Sequence, residues 1–327
     1  MDLAGLQHAV LSLDASRFND MAMQVFRYQS CHCEVYRRYL EHLQLDPSKI
    51  INSAEIPHLP ISFFKQFDVK TDAFQPEMVF ESSSTTGTGV SRHFVRDLTL
   101  YRSSFTESFS LAFGDHRQYC HLALLPSYLE RQHSSLVYQV GHFIESSVYP
   151  QSAFYLQNHR SLYEQLAENE AIAIPTVLWG VSFALLDFTS AYSLPLRHSI
   201  VIETGGMKGR RKEITRDELH ATLKHAFSTD SIAGEYGMTE LMSQAYALRD
   251  GLYKCPPWMQ VKAREINDPF ALVPDGRHGA LNVTDLYNLH TCAFIETSDL
   301  GKVYADGRFE VLGRIDHSDV RGCNLLL

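Results

Sequence analysis

The sequence predicts an α/β fold with a largely parallel sheet, followed by a small β-rich unit. Three observations carry this. Between residues 118 and 236, short apolar runs alternate with stretches of helical periodicity, the rhythm of β-α units. The expected strand over 77–81 leads into the Ser/Thr/Gly loop and the run over 231–236 into Gly234–Glu240, at strand ends where open α/β sheets gather their ligands. From Gly279 onward the pattern changes to short strands separated by turns, with Asp306-Gly307 as a hairpin signal.

The elements follow in order. Met21, Val25, Phe26, Val35, Tyr36, Tyr39, Leu40 and Leu43 recur at helical spacing, which predicts one long helix over residues 18–43 that Asp46-Pro47 ends. Residues 56–61 are bracketed by Pro57 and Pro60 and read as extended. A short helix follows over 62–65, then a strand over 77–81. Leu98, Tyr101, Phe105, Phe109 and Ala112 share one side of a helix over 97–113. Strands are predicted over 118–125, over 171–178 with Pro175 inside it, and over 199–203. Helices are predicted over 134–143, 182–186 and 216–226. Residues 231–236 lead into Gly234-Glu235-Tyr236-Gly237-Met238-Thr239-Glu240. The late strands are expected over 280–284, 294–297, 302–304 and 309–312.

Composition excludes several function classes. The 327 residues are 45% hydrophobic and 20% charged, with a formal net charge of -9. That is ordinary globular composition, and the densest basic run, Lys208 to Lys212, is too short for a nucleic-acid footprint. No apolar run approaches a membrane span, and Met1-Asp2-Leu3-Ala4 has no secretory character. A cytoplasmic protein is expected. The six cysteines are Cys31, Cys33, Cys120, Cys255, Cys292 and Cys323, without a Cys-x-x-Cys pair. Cys31-His32-Cys33 is too tight for a zinc site and reads as helix thiols, which in reduced form fit that address.

The chemistry-bearing segments are three. Ser82, Ser83, Ser84, Thr85 and Thr86 precede Gly87-Thr88-Gly89 and then Arg92. Glycines bring backbone N–H groups against an anion and hydroxyls add donors, so such a loop suits phosphate. Alone it reads more readily as a solvated loop. The second segment is Tyr236-Gly237-Met238-Thr239-Glu240. The third is Thr297-Ser298-Asp299-Leu300-Gly301 with Leu312-Gly313-Arg314-Ile315-Asp316. Taken singly, Glu240 reads as a helix N-terminal carboxylate, Asp299 as a turn residue and Arg314 as a surface ion-pair partner. Lys208, Arg210, Arg211 and Lys212 read as a solvated basic turn.

In order and spacing these segments resemble the adenylate-forming superfamily of acyl-CoA synthetases, peptide-synthetase adenylation domains and luciferases. The resemblance implies ATP and Mg²⁺ as cofactors. It implies that Ser83, Ser84, Thr85, Thr86, Gly87, Thr88 and Gly89 hold the β- and γ-phosphates, and that Thr239 donates to the α-phosphate. Glu240 would bind Mg²⁺, and Asp299 and Arg314 would meet the ribose. Gly205 and Gly206 would flank the adenine, with Tyr236 stacked on it and Gly237 in its motif.

Two departures narrow the resemblance. Val90-Ser91-Arg92 stands where a Pro-Lys is usual, so Arg92 would supply the phosphate charge. The last lysine is Lys302, and the mobile C-terminal lysine domain is expected to be absent. The expected organisation is an adenylation core over 1–278, a β-rich subdomain over 279–313, and a truncated hinge with a reactive tail over 314–327.

Phe26-Arg27-Tyr28-Gln29, Val35-Tyr36-Arg37-Arg38-Tyr39, residues 56–65, Ser91-Arg92-His93, Leu125-Pro126-Ser127-Tyr128-Leu129-Glu130-Arg131 and Arg321-Gly322-Cys323-Asn324-Leu325 resemble acyl-protein synthetases of the LuxE type. That resemblance implies a ligase that activates a carboxylic acid, a fatty acid above all, as acyl-AMP. The acyl group then moves to Cys323, and an acyl-CoA reductase-like or acyl-carrier partner receives it. Arg321, two residues away, would favour the thiolate. Three readings remain open: transfer to Cys323, transfer to CoA or a carrier protein, and a non-catalytic nucleotide- or acyl-binding subunit. A serine hydrolase is disfavoured, because no Gly-x-Ser-x-Gly elbow is present.

Overall fold

The computed structural model describes residues 3–82, 89–125, 133–205 and 214–315. The chain begins with α1 (Leu3–Leu11), α2 (Phe18–His32) and α3 (Glu34–His42). The single long helix expected over 18–43 is thus two. Cys33 breaks it: it turns extended (φ -96°, ψ 102°) and forms an antiparallel bridge with Thr71, while Asp72 N–H donates to the His32 carbonyl at 2.9 Å. A tertiary strand contact overrides helical propensity there.

β1 (Leu59–Pro60) and the one-turn α4 (Phe63–Gln66) follow, then the antiparallel hairpin β2 (Met78–Glu81) and β3 (Arg92–Val95). The sequence next alternates: α5 (Leu98–Phe113), β4 (Cys120–Leu124), α6 (Ser135–Ser146), β5 (Ala153–Phe154), α7 (His159–Ala171), β6 (Thr176–Val181), α8 (Ser182–Ala191), β7 (Ser199–Thr204), α9 (Arg216–Phe227), β8 (Ala233–Tyr236) and β9 (Ala245–Ala247). The helix starts are locally encoded. Asp97 caps α5 through Thr99 and Leu100 N–H, Ser134 caps α6, and Thr215 with Glu218 makes a capping box on α9. The strand expected over 171–178 begins only at Thr176. Ala171 ends α7, Ala173 takes a left-handed turn (φ 57°), and Pro175 contributes its carbonyl to Cys120 N–H.

These strands form a six-stranded sheet in the order β5-β4-β6-β7-β8-β9, parallel except for β9. β6 is buried along its whole length, as a continuous apolar run between two covering layers requires. Helices cover the sheet, with α6 on β4, α8 on β6 and β7, and α9 on α8. Phe105, Phe109, Phe143 and Trp179 make the aromatic centre of the core, with ring centroids 5.1–6.0 Å apart.

The second sheet holds β10 (Met259–Arg264), β11 (His278–Asp285), β12 (Phe294–Val303) and β13 (Phe309–Arg314), with β1 parallel to β12. Residues 298–301, read from sequence as lying between two strands, sit inside the continuous β12. Its burial alternates as expected for a strand with one face covered. Asp299 therefore sits on a sheet, in register with Arg314 of β13. The two sheets meet where Tyr253 and Phe309 exchange backbone hydrogen bonds of 2.8 and 3.0 Å. Among the described residues no helix is long and apolar enough to cross a membrane.

Candidate active site

The hydroxyl-rich loop springs from the β2–β3 hairpin. Its base is closed by Ser82, whose N–H donates to the Ser91 carbonyl at 3.0 Å and whose Oγ accepts from Ser91 N–H at 2.9 Å. Ser83, Ser84, Thr85, Thr86, Gly87 and Thr88 lie outside the described residues, as do Gly206 and Cys323. Gly89, at the loop's exit, takes a positive φ of 85°. Arg92 is half-exposed, and its Nη2 pairs with Asp68 Oδ1 at 2.7 Å. Any phosphate contact by Arg92 thus competes with an ion pair the sequence did not reveal.

Thr239 and Glu240 follow the carboxyl end of β8, where a turn is closed by Leu241 N–H on the Met238 carbonyl at 3.1 Å. Glu240 is buried, with Ser91 beside its carboxyl group. Burial pushes its pKa up; Ser91 and the charge of Arg314 oppose that. The glycines of this motif pack closely against neighbouring side chains. A Cβ on Gly234 would stand 2.7 Å from Tyr253 OH, and one on Gly237 would collide with the Glu235 carboxylate.

Tyr236 carries the link to the second sheet. Its OH donates to Asp299 Oδ2 at 2.9 Å, and Arg314 Nε donates to Asp299 Oδ1 at 3.1 Å. The Tyr236 ring packs against Tyr253 and Phe309, at 5.9 and 5.2 Å between centroids. Burial and the neighbouring carboxylate raise its phenol pKa well above the ordinary value. Arg314 itself is open to solvent while Asp299 is buried. Tyr236, Asp299 and Arg314, far apart in sequence, are thus one connected group.

Sequence reasoning missed a set of buried carboxylates around this edge. Glu203 is the penultimate residue of β7, and Ser182 Oγ lies 2.5 Å from its Oε1 and 2.6 Å from the Gly205 carbonyl. Burial raises the Glu203 pKa, and the Ser182 hydrogen bond and the charge of Arg216 oppose that. Glu235 accepts from Thr204 Oγ1, and burial, with the charge of Glu203, lifts it to about 7. Asp285 is fully buried and accepts from Met242 N–H, Ser243 N–H, Ser243 Oγ and Tyr287 N–H at 2.7–3.2 Å. It fixes the chain just after Glu240. Two glutamates at the carboxyl ends of neighbouring buried strands were the available signal for Glu203 and Glu235.

Among the described residues no cluster of three or more His, Cys, Asp or Glu is arranged to hold a metal ion. A lone buried carboxylate such as Glu240 suits Mg²⁺, which keeps most of its shell as water and phosphate oxygens.

A family model described as acyl-protein synthetase, LuxE, matches residues 12–327. No curated protein sequence matches the chain. Among solved structures the fold is similar to an open conformation of 2-hydroxyisobutyryl-CoA ligase in complex with 2-HIB-AMP and CoA. The TM-score is 0.68 at 13% identity, over 93% of this chain and 71% of that one. It is similar also to ATP-bound MatB from Rhodopseudomonas palustris, with a TM-score of 0.53 at 17% identity, over 74% of this chain and 49% of that one. O-succinylbenzoate coenzyme A synthetase from Bacillus subtilis, in complex with AMP, gives a TM-score of 0.50 at 17% identity with the same coverages. The chain spans about half the length of the latter two, and at these identities the likeness is one of fold. The fold is that of the adenylate-forming enzymes, and the match along nearly the whole sequence places this chain in the LuxE acyl-protein synthetase family.

Proposed function

We propose that this chain activates a carboxylic acid with ATP as an acyl-adenylate and passes the acyl group to the thiol of Cys323. The observation that carries the reading is the convergence of Thr239 and Glu240 with the Tyr236–Asp299–Arg314 group at the carboxyl edge of the parallel sheet. That edge is where α/β folds place ligands.

In this reading the hydroxyl loop of Ser83, Ser84, Thr85, Thr86, Gly87, Thr88 and Gly89 holds the β- and γ-phosphates, with Arg92 adding charge. Thr239 donates to the α-phosphate. Asp299 accepts from the ribose hydroxyls, and a carboxylate has lone pairs to do so while keeping Tyr236 and Arg314. Gly205 and Gly206 flank the adenine, and Tyr236 lies beside it. Glu240 holds Mg²⁺, which when bound neutralises charge on the phosphate oxygens. A carboxylate oxygen of the acid forms a bond to the α-phosphorus and pyrophosphate leaves. The Cys323 thiolate then bonds to the acyl carbon, AMP leaves, and a thioester remains. The family match supports a fatty acid as the substrate and an acyl-CoA reductase-like or acyl-carrier protein as the acceptor.

The test is acid- and Mg²⁺-dependent exchange of labelled pyrophosphate into ATP by the purified chain. Exchange with at least one acid of a chain-length panel is expected. Tight ATP binding without exchange for any acid would replace this reading with a nucleotide-binding role.

A further inference from the structure

The Thr239–Glu240 pair lies outside any strand, yet both of its main-chain carbonyls are held from the side by buried polar side chains. His93 Nδ1 is 2.8 Å from the Thr239 carbonyl oxygen. Asn288 Nδ2 donates to the Glu240 carbonyl at 2.7 Å. The two holding residues touch each other, with His93 Nε2 2.9 Å from Asn288 Oδ1, and both are 1% exposed. We propose that His93 and Asn288 form a clamp that positions Thr239 and Glu240 for the adenylation step. The proposal rests on the reading of Thr239 and Glu240 given above.

Peptide units are planar, so fixing a carbonyl oxygen fixes the orientation of its whole plane. The Thr239 carbonyl belongs to the plane before the Glu240 Cα and the Glu240 carbonyl to the plane after it. Holding both therefore fixes φ and ψ of Glu240 together, and with them the direction in which its carboxylate leaves the chain. Misplacement by about 1 Å in a positioning group can cost on the order of a hundredfold in rate.

The clamp is itself anchored on three sides. His93 sits in β3, two residues after Ser91, whose N–H donates to Ser82 Oγ and closes the base of the hydroxyl loop. Thr291 Oγ1 donates to Asn288 Oδ1 at 2.8 Å, which orients the amide so that its NH₂ faces Glu240. Gln29 of α2 donates to the Asn288 carbonyl at 2.8 Å and accepts from Ala293 N–H at 2.9 Å. Loop, Thr–Glu pair and second sheet are thus joined through two side chains.

The side-chain lengths give a discriminating test. In H93N the amide nitrogen stands where Nδ1 stood and keeps the bond to Thr239. In H93Q it stands where Nε2 stood and loses that bond. Pyrophosphate exchange is measured with Mg-ATP and the acid panel for the full chain, H93N, H93Q and N288A, with a thermal melt of each. The expected result is kcat within about threefold of the parent for H93N. H93Q and N288A should lose at least about tenfold in kcat with KM for ATP little changed, the pattern of an interaction that matters in the transition state. Equal rates for H93N and H93Q, or losses confined to KM or to melting temperature, overturn the clamp. If H93Q does not fold, N288A decides by the same criteria. No exchange in the parent chain with any acid removes the adenylation reading and the clamp with it; exchange in the parent that is unchanged in the variants removes the clamp alone.

Discussion

Tyr236 on β8 and Asp299 on β12 are joined by a 2.9 Å hydrogen bond that spans the two sheets. The bond is buried and its acceptor is a carboxylate, which makes it stronger than a neutral one. Tyr236→Phe is expected to destabilise the fold by about 1–3 kcal/mol, the cost of leaving a charged acceptor short of a donor. Combined with Asp299→Asn the two changes should be non-additive, because they remove one shared interaction. Chemical denaturation of the four proteins of the cycle checks this.

Glu240→Gln separates stability from activity. The substitution removes a carboxylate that burial already penalises, so the melting temperature should hold or rise. Acid-dependent pyrophosphate exchange should fall by roughly a hundredfold or more, since a metal-bound carboxylate is replaced by an amide. Raising Mg²⁺ would not restore the rate.

Glu235 gives a pH signature. The unfolded carboxyl titrates near its ordinary value of 4.5 and the folded one at about 7. Between these the folded chain holds an extra proton, so stability falls as pH rises through that window. The groups facing it are Thr204, Glu203, Tyr101 and Tyr246, and none is cationic. Glu235→Gln keeps an acceptor for Thr204 without the charge. Its melting temperature should exceed the parent's by a few degrees at pH 8, and the gap should close by pH 5. A pH-independent gap would mean that the carboxylate is compensated.

Gly237→Ala tests the steric reading of the motif. A Cβ there meets the Glu235 carboxylate, so the variant should lose stability by about 1–3 kcal/mol. Adding Glu235→Ala makes room, and the double variant should recover part of the loss. A single variant as stable as the parent in a thermal melt would show that the turn absorbs the methyl group.

Much of the fold was legible because its signals are local. The β-α rhythm and the hairpin turn at Asp306-Gly307 lie within a few residues of what they control. The break at Cys33 was not, because its cause is Thr71 across the fold. The same division runs through the candidate site. Tyr236, Thr239, Glu240, Asp299 and Arg314 announce themselves in short motifs. His93 and Asn288 do not, since they meet Thr239 and each other across 146 and 195 residues of sequence. Glu203 and Glu235 read as ordinary strand-end residues until burial shows that both carboxylates have left water.

The central claim is that acyl activation ends in a thioester on this chain. Intact mass spectrometry after incubation with Mg-ATP and a panel of acids tests it most directly. The account predicts an ATP-dependent acyl adduct that hydroxylamine removes, that maps to Cys323, and that is missing in Cys323→Ala. An unmodified chain that nevertheless exchanges pyrophosphate would contradict it and send the acyl group to a separate acceptor.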